Sequence, residues 1–116
     1  MRESTWEAFD LSRLLEKCET RGSTPYLEFL RVPQLSCGIY SLAEGAEDAQ
    51  STHDEDEVYV VLKGRGSLVV DGEETELSEG SIVYVPADVP HGFVKIEQRL
   101  SLLVFFGSGG PSGGEV

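Results

Sequence analysis

Both histidines of this 116-residue chain, together with one nearby glutamate, form a set of metal ligands. His53 and Glu57 are four residues apart, and His91 follows a proline-rich turn further along the chain. Two neutral imidazoles and one carboxylate suit Fe(II), Mn, Zn or Ni, and they leave coordination positions open for a small ligand. The residue types therefore predict a divalent-metal site formed by His53, Glu57 and His91.

The spacing of the first two ligands fits an extended strand. Residues four apart share a face in a strand, although a helix would also bring them together. The run from residue 58 to residue 61, VYVV, follows Glu57 directly, and its β-branched and aromatic residues favour a strand. His91 starts another strand, so its side chain meets His53 and Glu57 only if the sheet folds over or closes.

Two aromatic residues are predicted to line a pocket beside these ligands. By alternation along a strand, Tyr59 shares the face of Glu57, and Phe93 shares that of His91. Tyr59 is the only strand residue with a titratable group that this pattern places near the metal. Its unperturbed pKa of about 10 makes it a hydrogen-bond donor at neutral pH rather than a base, so no catalytic residue is assigned.

Apolar runs at regular spacing predict many short strands and no long helix. A tight hairpin is predicted at Asp71-Gly72, because a two-residue primed turn needs the positive φ angles that Asp and Gly tolerate. This pattern is typical of a β-sandwich or barrel. The predicted strands are Tyr26–Val32, Leu35–Leu42, Val58–Leu62, Ser67–Val70, Ser81–Val85, Gly92–Ile96 and Leu100–Phe106.

The two ends of the chain differ from this central region. Residues 4–19 are predicted to form a short helix, with Ser4 as N-cap and Glu7 three positions on. Residues 107–116 are rich in glycine and predict a flexible tail. One domain is therefore expected over residues 1–106, with its core at about 26–106.

The charge balance excludes some classes of partner. The chain has 9 Lys and Arg against 21 Asp and Glu, a formal net charge of −12. Nucleic acid and anionic membrane are therefore not expected as partners, because a phosphate backbone needs the opposite field. The start of the chain does not resemble a signal peptide, and the two cysteines, Cys18 and Cys37, form no disulfide framework. A cytoplasmic protein with reduced, packed cysteines is predicted.

A homodimer is predicted because a small β-barrel-like sandwich has edges that need covering. An edge strand or the N-terminal segment would form the contact. The apolar candidates in that segment are Trp6, Phe9, Leu11 and Leu14.

The region around the first two ligands resembles the first motif of the cupin superfamily. That motif has two histidines separated by one residue, a glutamate a few residues on, and a glycine after six more. His53 stands in the place of the second histidine, and Glu57 and Gly64 fit the last interval.

The region around the third ligand resembles the second cupin motif, which has a glycine, a proline after five residues and then a histidine. Gly80, Pro86 and His91 fit it, and residues 65–79 match a minimal segment between the motifs. The resemblance covers roughly residues 26–106 and is to small single-domain bacterial cupins. It implies an all-β double-stranded β-helix, or jelly-roll barrel, with an N-terminal extension packed outside it.

The chain departs from the cupin pattern at the position of the first histidine, which is Ser51, and Asp88 replaces the glycine after the proline. Neutral serine is a poor ligand, so the resemblance implies three protein ligands unless Gln50 supplies its amide oxygen. Some of the small cupins that this chain resembles carry a glutamine three residues before the retained histidine, which is the position of Gln50. Alternation points Gln50 away from His53, so its coordination requires a bulge or loop; otherwise Gln50 is a solvent-facing loop residue.

Several functions are compatible with this resemblance, because the cupin fold is used for many chemistries. The first hypothesis is a small metal-dependent enzyme, such as a dioxygenase or isomerase, that acts on a small molecule. The second is a non-enzymatic ligand-binding or sensor module with the same cavity, and a third is a scaffold that only dimerises. In a metal-free protein, the two histidines and the glutamate would instead form a hydrogen-bonded polar cluster.

Overall fold

A computed structural model describes residues 5–20, 26–47 and 52–107 of the chain. Within these ranges no helix has the length and apolar composition needed to cross a membrane. The predicted all-β class is confirmed. The elements in chain order are α1 (Leu11–Thr20), β1 (Tyr26–Val32), β2 (Leu35–Leu42), β3 (Asp56–Val70), β4 (Glu73–Ser78), β5 (Ile82–Val85) and β6 (His91–Gly107).

The centre of the fold is an antiparallel ribbon formed by β3 and β6, which pair along their whole lengths. Asp56 lies opposite Gly107 at one end of the ribbon, and Val70 lies opposite His91 at the other. β2 and then β1 extend the sheet beyond β6. β4 pairs with the C-terminal half of β3, and β5 pairs with its N-terminal half.

The ribbon folds back on itself near Gly64. His91 lies opposite Val70, which is thirteen residues from Glu57 along β3. A straight strand of that length would span about 40 Å, yet the His91 imidazole contacts the Glu57 carboxylate at 3.2 Å. The pairing register shifts repeatedly between Val61 and Ser67, and Gly64 has a φ of 102°. The two halves of the ribbon therefore face each other. This is the fold-back that His91 needs in order to meet His53 and Glu57.

Glycine is required at this bend. A Cβ atom at position 64 would lie 2.0 Å from the carbonyl oxygen of Arg99 on β6. The positive φ of Gly64 also strains any residue that has a side chain. Close approach of two backbones and a left-handed conformation thus both select glycine at residue 64.

The apolar core of the described residues is formed by side chains of strands β2, β3, β4, β5 and β6. Burying each of its large side chains contributes roughly 1.5–3 kcal/mol relative to exposure. Glu57 is an exception, because it is a carboxylate with 1% relative exposure on the same face of β3 as Tyr59 and Val61. The core consists of Leu42, Tyr59, Val61, Leu68, Leu77, Val85, Phe93, Ile96, Leu100, Leu102 and Val104.

The strand predictions agree with most of this sheet. β1 and β2 have the predicted bounds, and Asp71 and Gly72 form the predicted hairpin with φ angles of 51° and 84°. Four shorter predicted strands merge in pairs into β3 and β6, because these two strands pair with each other on both sides of the bend. β4 was not predicted, since its sequence EETELS buries only Leu77 and shows no apolar alternation.

The predicted helix at residues 4–19 is wrong at its start, because α1 begins at Leu11. Asp10 is the N-cap: its Oδ1 accepts hydrogen bonds from the backbone N–H of Ser12 at 3.1 Å and from the Ser12 hydroxyl at 2.8 Å. The predicted cap, Ser4, lies outside the described residues. Helix α1 packs outside the sheet as predicted, with Cys18 buried against β2 near the carbonyl of Ile39.

Candidate metal centre

His91 is fixed by the carbonyl of the loop that precedes it. Its Nδ1–H donates to the Val89 oxygen at 2.9 Å, which leaves the lone pair of the neutral ring on Nε2. Nε2 lies 3.2 Å from Glu57 Oε1, and the His91 side chain is 4% exposed. His91, the first residue of β6, therefore presents a buried nitrogen donor atom to β3.

Glu57 lies between the two imidazoles. Its Oε1 faces His91, and its Oε2 lies 3.5 Å from His53 Nε2. Oε1 also accepts a hydrogen bond from the Tyr59 hydroxyl. Burial alone would raise the pKa of Glu57. The Nε2–H bond that a protonated His91 donates, the hydrogen bond from Tyr59 and the positive charge of the protonated imidazoles hold this pKa below its ordinary value. The carboxylate is therefore ionised at neutral pH, as a metal ligand must be.

His53 comes from the segment before β3 and is the accessible member of the cluster, with a side chain 43% exposed. Its carbonyl accepts a 2.7 Å hydrogen bond from the Asp88 N–H, and Asp56 Oδ1 accepts one of 2.8 Å from the Ala87 N–H. Asp88 adopts a left-handed φ of 64°, which explains why the motif has glycine at this position. The β5–β6 loop thus holds His53 over the two strand ligands.

The two predicted pocket aromatics lie in different layers. Tyr59 contacts the ligand atoms directly, since its hydroxyl lies 3.1 Å from His91 Nε2. Phe93 is fully buried and packs edge-on against Tyr59, with ring centroids 5.1 Å apart, and against Tyr40 at 5.8 Å. Phe93 therefore supports the pocket wall from behind.

The donor atoms of this cluster fit a divalent metal ion. One ligand atom each from His53, Glu57 and His91 lies within 4.8 Å of the others. For metal–ligand bonds of about 2.1 Å, adjacent ligands lie roughly 3.0–3.4 Å apart. The separations of 3.2 and 3.5 Å from Glu57 to the two imidazoles are close to that range.

The cluster borders a cavity of about 360 Å³. Several residues that line this cavity were not predicted from the sequence. Glu55 could have been, because residues 53, 55 and 57 are spaced by two and share one face of an extended chain. Arg31 and Glu28 join in a two-pronged ion pair with distances of 2.9 and 3.0 Å. The lining residues are Tyr26, Glu28, Arg31, Ser36, Tyr40, His53, Glu55, Tyr59, His91, Val104 and Phe106.

The predicted fourth ligand, Gln50, and the serine at the place of the first histidine, Ser51, lie outside the described residues. The structure brings together the other three predicted ligands, His53, Glu57 and His91. Coordination by Gln50 stays a prediction.

Comparison with known proteins identifies the family. Residues 38–106, more than half of the chain, match the family described as Cupin domain. The chain belongs to the cupin family. The resemblance inferred from the two motifs is thereby confirmed.

Proteins similar to this cupin match it over most of its length. An uncharacterized protein of Streptomyces coelicolor is 44% identical over 101 residues, which cover 86% of this cupin and 94% of that protein. The structure of KdgF from Halomonas sp. matches with a TM-score of 0.67 and 21% identity, covering 76% of this cupin and 81% of that chain. A variant of salicylate 1,2-dioxygenase from Pseudoaminobacter salicylatoxidans, in complex with gentisate, has a TM-score of 0.69 and 26% identity, covering 84% of this cupin and 30% of that chain.

Proposed function

We propose that this cupin is a metal-dependent enzyme, such as a dioxygenase or isomerase, that acts on a small molecule. The proposal is carried by the cluster of His53, Glu57 and His91 beside a cavity that both histidines line. A divalent ion of Fe, Mn, Zn or Ni held there would supply a Lewis acid or a site for dioxygen.

The other cavity residues would bind and orient the substrate. Tyr26, Tyr40 and Phe106 provide aromatic walls that suit a small, flat molecule. Arg31 offers a guanidinium group, and the half-buried carboxylate of Glu55 offers a proton acceptor. The gentisate complex of the salicylate 1,2-dioxygenase variant gives a precedent for such a molecule in a related fold.

Elemental analysis tests the metal site. Wild-type protein should contain a first-row metal at near-stoichiometric level, and the His53→Ala, His91→Ala double variant should not, because a three-ligand site that loses its imidazoles competes poorly with water. Glu55→Gln is the matched control, since it changes a carboxylate in the same cavity but outside the cluster and should keep its metal. Equal metal content in the wild type and the double variant would contradict the proposal.

Turnover tests the enzymatic part of the proposal. Metal-loaded protein would be incubated with salicylate and with gentisate while dioxygen consumption and products are followed. Turnover that the double variant lacks and Glu55→Gln lowers is the expected result. If the metal-loaded protein binds these acids but leaves them unchanged, the result would contradict an enzyme and favour the binding or sensor module.

We also propose a homodimer, whose contact includes the N-terminal segment. Trp6 is 85% exposed, and Val32 and Leu35 at the β1–β2 turn are 45% and 39% exposed. Burying such side chains against a second copy would remove apolar surface from water. Light scattering at micromolar concentration should give twice the chain mass, and Trp6→Ala should lower it; a wild-type monomer would contradict this. The cytoplasmic location stays a prediction.

A further inference from the structure

A tyrosine hydroxyl lies among the ligand atoms of the metal centre. Tyr59 donates a hydrogen bond to Glu57 Oε1 and lies 3.1 Å from His91 Nε2. The cupin pattern has two histidines in its first motif, and this chain has Ser51 in place of one of them. The three-residue cluster therefore has fewer protein donors than the motif would supply, and an oxygen donor lies beside it.

We propose that the Tyr59 hydroxyl is the fourth protein ligand of this metal site, an inference that rests on the metal site of the proposed function. The distance from this hydroxyl to His91 Nε2 is 3.1 Å, within the range of roughly 3.0–3.4 Å for adjacent ligands with bonds of about 2.1 Å. On coordination, the phenol O–H bond breaks, the proton passes to solvent, and an oxygen lone pair forms the metal bond. No electron is transferred.

The position of Tyr59 on its strand supports this role. It is two residues from Glu57 on β3, so both side chains point to the same face of the strand. Its ring is held edge-on by Phe93 at 5.1 Å, and the residue is 5% exposed. Phenylalanine would fill this packing site equally well. The hydroxyl adds polar contacts with the Glu57 carboxylate and the His91 imidazole.

The resulting donor set has two nitrogens and two oxygens. Imidazole nitrogens with carboxylate and hydroxyl oxygens favour a hard or borderline ion over a soft one. Iron, one of the metals of the proposed site, suits this set in either oxidation state. Copper(II) should also bind, because it forms the tightest complexes of the divalent first-row ions with nitrogen and oxygen ligands.

Visible absorption and resonance Raman spectra of the metal-loaded protein test the inference directly. Metal-free protein would be loaded separately with Fe(III) and with Cu(II), and binding would be measured by chelator competition. A phenolate-to-metal charge-transfer band is expected in the wild type. Tyr59→Phe should lose the band, and the three matched controls, Tyr26→Phe, Tyr40→Phe and Tyr84→Phe, should keep it.

The affinity measurements separate the competing donors. Tyr59→Phe should weaken metal binding by tenfold or more, and Gln50→Ala should leave the band in place. Bound metal without the band for both ions, or a band that survives in Tyr59→Phe, would overturn the inference and leave the three-ligand site intact. Metal binding that depends on Gln50 and not on Tyr59 would overturn it as well. If the wild type binds neither ion and elemental analysis finds no Fe, Mn, Zn or Ni in it, the proposed metal site fails together with the inference. If it contains one of those metals but binds neither Fe(III) nor Cu(II), the inference is overturned and the three-ligand site remains.

Discussion

The candidate metal centre has two unlike halves. Glu57 and His91 belong to strands, are 1% and 4% exposed, and contact each other inside the fold. His53 belongs to the segment before β3, is 43% exposed, and is held through its carbonyl by the β5–β6 loop. The strand pair is held rigidly by the sheet, and His53 is the member of the cluster that solvent reaches. This difference predicts unequal responses to substitution.

The largest effect is expected from breaking the bend that brings the strand pair together. Gly64→Ala should destabilise the fold by about 4 kcal/mol or more, because its Cβ would collide with the Arg99 carbonyl in addition to the φ strain. Chemical denaturation measures this loss. Gly72→Ala is the matched control: it has a positive φ but open space around it, so about 1–2 kcal/mol is expected. Equal losses would show that the backbone contact at Gly64 is unimportant.

Removing the metal should lower the stability of the wild type more than that of a variant without His53, the exposed half of the centre. For protein shown to contain metal that a chelator removes, the stabilisation lost is up to about 4 kcal/mol where free metal had been about 1,000 times its dissociation constant. Thermal melting at pH 7.5 with and without chelator measures it as a lower Tm. His53→Ala, which binds metal more weakly, should show a smaller shift. An unchanged melting curve after metal removal would mean that the metal contributes little to the fold.

The two histidines should contribute unequally to the stability of the metal-free protein. Removing His91 should cost about 3 kcal/mol, because it leaves the buried Glu57 carboxylate with one partner fewer. Removing His53 should cost at most about 0.5 kcal/mol, since that pair is partly exposed. Denaturation at pH 7 in chelator measures both, because Glu57 has a lowered pKa and is fully ionised there. Similar losses for the two variants would contradict the division into a buried and an accessible half.

Sequence reasoning singled out the three clustered residues, His53, Glu57 and His91, because side-chain alternation and residue chemistry are local properties. β1 and β2 were predicted at their observed bounds from apolar runs, and Glu57 and Tyr59 were placed on one face by period-2 alternation. The contact of Glu57 with His91 is different, because it depends on the fold-back at Gly64. Local periodicity does not show how the ribbon folds there. The fold-back was expected as the condition for His91 to meet His53 and Glu57, and the motif resemblance also implied it.

The parts that sequence reasoning missed depend on tertiary context. β4 is a polar strand whose place is set by pairing with β3 rather than by burial. The ion pair of Arg31 with Glu28 lines the cavity only because β1 is brought beside the metal centre. Asp10, rather than Ser4, caps α1. Asp10 could have been predicted as the N-cap from the sequence, because Asp is a preferred N-cap residue.

The smallest effect is expected from the loop contact that supports His53. Asp56→Ala removes the acceptor of the Ala87 N–H bond of 2.8 Å, which should cost about 1 kcal/mol of stability. Metal affinity should fall about tenfold, in the manner of other groups that hold a ligand in place, and Asp56→Asn, which keeps an acceptor oxygen, should restore most of it. Because this contact acts through His53, Asp56→Ala should cause no further loss of affinity in a His53→Ala background. Additive losses in that double-mutant cycle would show that Asp56 supports the strand pair instead, and the two halves of the centre would then share one support.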